Sequence, residues 1–173
     1  MAALQDKLPA LQKGEFKPRT NDELRMMVRL CKIKKLFFAN SRMYADAFAD
    51  DPKLADDLNT GNRYNAACYA ALAAAGQSKD DPPPDETKKA ELRRQALAWL
   101  RADLDLWGKR LTSDKPEERK MAVERLRHWQ QDTDLSGLRD AAELAKLPTD
   151  EQEASRKLWA DVQALLDKAD AKK

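Results

Sequence analysis

Apolar residues along this chain recur at intervals of three and four, the spacing that lines up side chains on one face of an α-helix. Leu24, Met27, Val28 and Cys31 stand at i, i+3, i+4 and i+7, and Asn21-Asp22-Glu23 ahead of them offers a polar cap and early acidic residues. That predicts a helix from Asn21 to the basic cluster Lys32-Ile33-Lys34-Lys35. A second helix is expected from about Leu36 to Asp50, with Phe37, Asn40, Tyr44, Ala47 and Phe48 inward. Pro52 stops it, because the residue before a proline is pushed out of the α region. Residues 1–20 hold Pro9, Gly14 and Pro18 and read as a lead-in, whose Leu4, Leu8 and Leu11 are able to dock on the body.

The stretch Arg63 to Gly76, RYNAACYAALAAAG, has almost no side-chain bulk. Alanine loses no rotamer freedom in a helix and lets neighbouring helices approach closely, so this segment is expected at the centre of the packing. The polar run QSKDDPPPDETKK, residues 77–89, reads as an exposed loop. A helix over Ala90 to Trp107 is predicted next, with Leu92, Ala96, Trp99, Leu100, Asp103, Leu104 and Trp107 on its inner stripe. Gly108 to Pro116 is expected to break the chain, with Ser113 or Asp114 as caps. Glu117 to Gln131 then forms a helix with Met121, Leu126 and Trp129 inward. Asp132 to Asp140 reads as a turn region and Ala141 to Lys146 as a short helix. Thr149-Asp150-Glu151-Gln152 fits a capping box opening a last helix with Leu158, Val162, Leu165 and Leu166 buried. The final KADAKK is expected to fray.

No strand pattern interrupts this series, so the chain is read as all-α. Its 173 residues suit one domain. Charged residues make up 36% yet nearly cancel at +2, which favours solvated helix faces over a nucleic-acid surface. The excess is local: residues 1–50 carry ten Lys/Arg against six Asp/Glu. No apolar run reaches the roughly 18 residues of a membrane span, and no secretory signal is visible. Cys31 and Cys68 sit in helical patterns and are expected as free, buried thiols in a cytoplasmic, reduced protein.

Two helices of a dozen residues with Pro at the end fit the tetratricopeptide unit of about 34 residues. Arg63-Tyr64-Asn65-Ala66-Ala67-Cys68, preceded by Tyr44-Ala45-Asp46-Ala47-Phe48 and Asp51-Pro52-Lys53-Leu54-Ala55, resembles the tetratricopeptide-like C-terminal regions of planctomycete serine/threonine protein kinases and related repeat proteins. ALAWLRADLDLW, LRHWQQD and RKLWADVQALL belong to the same resemblance. It implies stacked antiparallel helix hairpins, with pairs at about 21–52 and 62–107 and a C-terminal helical cap at 116–168. Together these make a single domain over 21–173 after the lead-in. Departures are clear: Leu24, Met27, Val28 and Cys31 fall where Trp, Leu, Gly and Tyr are usual. Asn40 replaces a small alanine at the helix crossing, so that contact is either looser or supplied with a hydrogen-bond partner. The second pair ends on Gly108 rather than proline, and residues after 115 keep little consensus.

Candidate chemistry is sparse. There is no Gly-rich phosphate loop, no H-R-D and no D-F-G, so no kinase catalysis is expected, and no enzyme activity or cofactor. The only histidine, His128, has no Cys or His at ligand spacing, which argues against a metal site. Asp50-Asp51, Asp56-Asp57 and Asp80-Asp81 read as solvated turn carboxylates, and Trp99, Trp107, Trp129 and Trp159 as core. Binding is the better prospect. The resemblance places Arg25, Arg29 and Lys32 in a concave groove. Their i, i+4, i+7 spacing puts three cations on one face. Asn65 matches an asparagine that, in some peptide-binding members, holds a ligand's terminal carboxylate. The expected function is non-catalytic protein–protein interaction or scaffolding, as in the regulatory tail of a signalling kinase, with an acidic or C-terminal peptide as ligand. Phosphate contacts by Arg29-Leu30-Cys31-Lys32-Ile33-Lys34-Lys35 with nucleic acid, or self-assembly into a homo-oligomer, are the alternatives.

Overall fold

The computed structural model describes residues 2–171, which are helical over most of their length and include no strand. The helices are α1 (Ala2–Gln5), α2 (Leu8–Lys13), α3 (Asn21–Lys34), α4 (Phe37–Asp50), α5 (Lys53–Asp56), α6 (Asn62–Ala74), α7 (Glu86–Leu111), α8 (Pro116–Gln131), α9 (Ala141–Leu144) and α10 (Thr149–Asp170). A 3-10 turn at Thr133–Leu138 lies between α8 and α9.

Helix α6 is covered on nearly every side. Ala66, Ala67, Ala70 and Ala73 have no exposed surface, and Cys68, Tyr69, Ala71 and Leu72 are also buried. Helices α4 and α7 and the 3-10 turn all pack on it. On the α4 side, Tyr69 stacks with Phe37 at 6.0 Å and Tyr44 at 6.3 Å between ring centroids. On another side, Leu135 and Leu138 of the 3-10 turn are fully buried, and Gly137 lies so close that a Cβ there would sit 3.5 Å from that of Ala75. Phe48 of α4 meets Trp99 of α7 edge-on at 5.8 Å, closing the far side. The alanines expected to organise the chain do so.

A smaller core joins the lead-in to α3 and α4 through Leu4, Leu8, Leu11, Leu24, Met27, Leu30, Cys31 and Met43. Glu23 ties these parts together, accepting from Lys7 Nζ at 2.7 Å and from the Arg19 N–H at 2.9 Å. The cap of α3 is Thr20, whose Oγ1 accepts from the Glu23 N–H at 3.1 Å. The start signal is therefore Thr20 with Glu23 three residues on, one position earlier than Asn21 suggested.

Several sequence expectations change. The loop at 77–89 is not simply exposed: Ser78 and Asp80 cap the N-terminus of α4, and Asp80 is only 6% exposed. Asp80 is therefore no solvated turn residue. Helix α7 begins at Glu86, where Asp85 Oδ1 accepts from the Lys88 N–H at 2.8 Å, and it runs through Gly108 to Leu111. Gly108 is no break, because one glycine in a long helix costs roughly 1 kcal/mol, which packing of both flanking turns exceeds. Met121 is exposed, and Ala122 takes the inward position on α8. At α10 no capping box forms; Pro148 precedes the helix and Gln152 Nε2 donates to the Leu147 carbonyl at 2.8 Å. Helix α10 stays helical to Asp170, and Lys172 and Lys173 of the expected frayed tail lie outside the described residues.

Candidate functional site

Two groups of side chains stand out, one on α3 and one around α6. The first is the outer side of α3. Met27, Leu30 and Cys31 turn inward, which leaves Arg25, Arg29 and Lys32 exposed together on the other side, as their spacing requires. Beside them on the adjacent stripe lie Met26 and Ile33, 47% and 64% exposed and seven residues apart. Arg25 pairs with Asp22, whereas Arg29 makes no ion pair or hydrogen bond among the described residues. Asn65 is exposed on the first turns of α6, with its side chain likewise unpartnered. The three cations share one face; no hydrogen bond links Asn65 to them.

The second group is buried deeper. Tyr64 and Cys68, one turn apart on α6, meet the end of α8 and the start of the 3-10 turn. The Tyr64 hydroxyl donates to Asp132 Oδ2 at 2.5 Å, and its ring stacks on Trp129 at 5.5 Å. His128 Nε2 lies 3.2 Å from the same Asp132 oxygen. Asp132 Oδ1 accepts from the Asp134 N–H at 2.9 Å, which caps the 3-10 turn. The Cys68 thiol and one carboxylate oxygen each from Asp132 and Asp134 lie within 4.8 Å of one another. Burial, then the nearby carboxylates, push the Cys68 thiol well above the usual thiol range. Desolvation and the neighbouring Asp132 also raise the Asp134 carboxyl. Lys32 is the cation whose charge reaches both groups from α3, without forming an ion pair.

Met26 and Ile33 escaped the sequence reading because they stand between charges and belong to no inward stripe. The assembly of Cys68 with Asp132 and Asp134 left no local signal, since the partners are more than sixty residues apart. One other polar concentration is internally satisfied. A cleft of about 570 Å³ floored by Ala71, Ala74 and Ala90 is rimmed by Lys89–Glu86, Arg93–Glu151 and Lys146–Glu143 pairs, so its charges already have partners.

Compared with known proteins, the chain matches no family model, no curated protein and no solved structure. No helix among the described residues is long and apolar enough to cross a membrane.

Proposed function

We propose that the chain is a non-catalytic protein-interaction module of tetratricopeptide-like build, which binds an acidic peptide carrying apolar side chains along the outer face of α3. The observation that carries this reading is the stripe of Arg25, Arg29 and Lys32 running beside the exposed stripe of Met26 and Ile33. Cations on a helix favour carboxylates through charge-assisted hydrogen bonds, and the exposed apolar groups beside them supply burial on binding. Arg29 needs to break no existing ion pair to do so. The hairpin-stack part of the reading is supported by α6 packing against both α4, from the preceding pair, and α7, its own partner. Asn65 would take a peptide terminus at the edge of this face. A role as the regulatory tail of a signalling kinase rests on the resemblance alone.

The test is fluorescence anisotropy with a labelled peptide of alternating Glu and Leu, at low and physiological salt. Wild type binds, and the Arg25→Glu/Arg29→Glu double variant loses at least about tenfold in affinity, because two attractions become repulsions. Equal affinities overturn the reading. Tighter binding of single- or double-stranded DNA than of the peptide, with a steep salt dependence, assigns the same face to phosphates instead. A concentration-dependent dimer in light scattering that is lost in Ile33→Ser would make a second copy of the chain the occupant.

A further inference from the structure

The thiol of Cys68 is 4% exposed, and both carboxylates beside it are partly buried. These donors come from two parts of the chain: α6 supplies the sulfur, and the junction of α8 with the 3-10 turn supplies the oxygens. Among the described residues the Asp134 side chain makes no hydrogen bond or ion pair. Three groups that are anionic when ionised therefore converge, and Lys32 faces them from α3 without closing on any of them. His128, at 3.2 Å from Asp132 Oδ2, adds an imidazole at the solvent edge.

We propose that Cys68, Asp132 and Asp134 bind a single divalent transition-metal ion of the zinc or cobalt class. A thiolate with carboxylates and a nearby imidazole is a donor set for a borderline-soft ion, and it disfavours calcium and magnesium, which take oxygen ligands alone. A tetrahedral centre with bonds of about 2.0–2.3 Å holds its donors roughly 3.5 Å apart. The three donors already lie within 4.8 Å of one another, so small side-chain movements close the set. His128 lies outside this set, with its Nε2 3.2 Å from Asp132 Oδ2. Tyr64 keeps its hydrogen bond to Asp132 and orients that carboxylate, the role an outer partner has in metal sites. On binding, the Cys68 S–H bond breaks, the sulfur electron pair goes to the metal and one proton leaves to solvent. Burial first, and then the two carboxylates, hold the Cys68 thiol above its usual range; the positive ion offsets the second of these.

The full chain, kept reduced, is titrated with Co²⁺ alone. One equivalent is expected to produce a thiolate-to-cobalt charge-transfer absorption, with release of one proton, and Zn²⁺ should abolish the absorption by displacement. The absorption is lost in Cys68→Ser and unchanged in Cys31→Ser, since Cys31 is buried in the smaller core. Asp134→Asn lowers Co²⁺ affinity at least about tenfold. Because the Asp134 side chain holds no other group, this variant keeps the fold and decides the matter even where Cys68→Ser is poorly folded. No charge-transfer absorption from the folded wild type, survival of it in Cys68→Ser, or unaltered affinity in Asp134→Asn each overturns the proposal.

Discussion

Asp80 closes the N-terminus of a helix that begins 43 residues earlier in the chain: its carboxylate accepts from the Ala39 N–H at 3.0 Å. A second oxygen accepts from the Phe38 N–H at 3.0 Å, and Ser78 Oγ accepts from Phe37 N–H at 2.9 Å. The first N–H groups of α4 are thus satisfied by a distant loop, because Leu36, the residue at the cap, has no side-chain acceptor. Asp80→Ala removes the acceptor and a negative charge at the positive end of the helix. It should destabilise the protein by about 1–2 kcal/mol, read as a lower urea midpoint with unchanged slope.

Arg63 and Asp103 form a buried pair at 3.0 Å between α6 and α7, and Asp56 also holds the guanidinium. Burial pushes the Asp103 carboxyl up to about 6, against the opposing pull of Arg63. The folded protein therefore holds this proton more tightly than the unfolded chain. The group's stabilising contribution is complete below about pH 4 and is lost as the pH rises through about 6. Between those limits wild type should lose on the order of 2 kcal/mol relative to Asp103→Asn, measured by chemical denaturation at each pH. The carboxyls of Glu23 and Asp161, held by Lys7 and Arg101, shift the other way, and the difference between the two proteins cancels them.

Tyr64→Phe keeps the stack on Trp129 and removes only the hydroxyl that donates to Asp132. A hydrogen bond to a charged acceptor contributes about 1.5–3 kcal/mol, and that is the expected loss in thermal or urea unfolding.

Gly108 lies inside α7 with ordinary helical backbone, and a Cβ there would meet the Leu165 methyl at 3.6 Å, a normal van der Waals contact. Gly108→Ala should therefore stabilise by about 0.5–1 kcal/mol, chiefly by restricting the unfolded chain. Calorimetry reads this as a higher Tm.

Ile33→Ser should lower affinity for the acidic, leucine-bearing peptide while moving stability by less than about 0.5 kcal/mol, since the side chain is largely in solvent. A matched loss of affinity and stability would mean that Ile33 belongs to the fold instead.

Helical class and the central place of α6 could be read from residue spacing because alanine runs and i, i+3, i+4 stripes act locally. The docking of Leu4, Leu8 and Leu11 was legible for the same reason. Asn40, out of place at a helix crossing, is fully buried; its Nδ2 donates to the Val28 carbonyl at 3.2 Å, while its Oδ1 has no partner among the described residues. What stayed hidden was held by distant contacts. Nothing in QSKDDPPP says that Asp80 will find a bare helix end, and Leu135 and Leu138 follow a three-residue period too short to stand out among polar neighbours. The face of α3 was legible in its charges but not in Met26 and Ile33. The grouping of Cys68 with Asp132 and Asp134 depends on α8 returning its end to α6, which no short motif encodes.

Leu135 and Leu138 complete the wall around α6 from a point more than sixty residues downstream. During synthesis the alanine helix must therefore emerge, pair with α4 and α7, and wait half-clad while the ribosome adds α8 and the turn behind it. A chain cut after Gln131 would lack both leucines and leave that side of α6 uncovered.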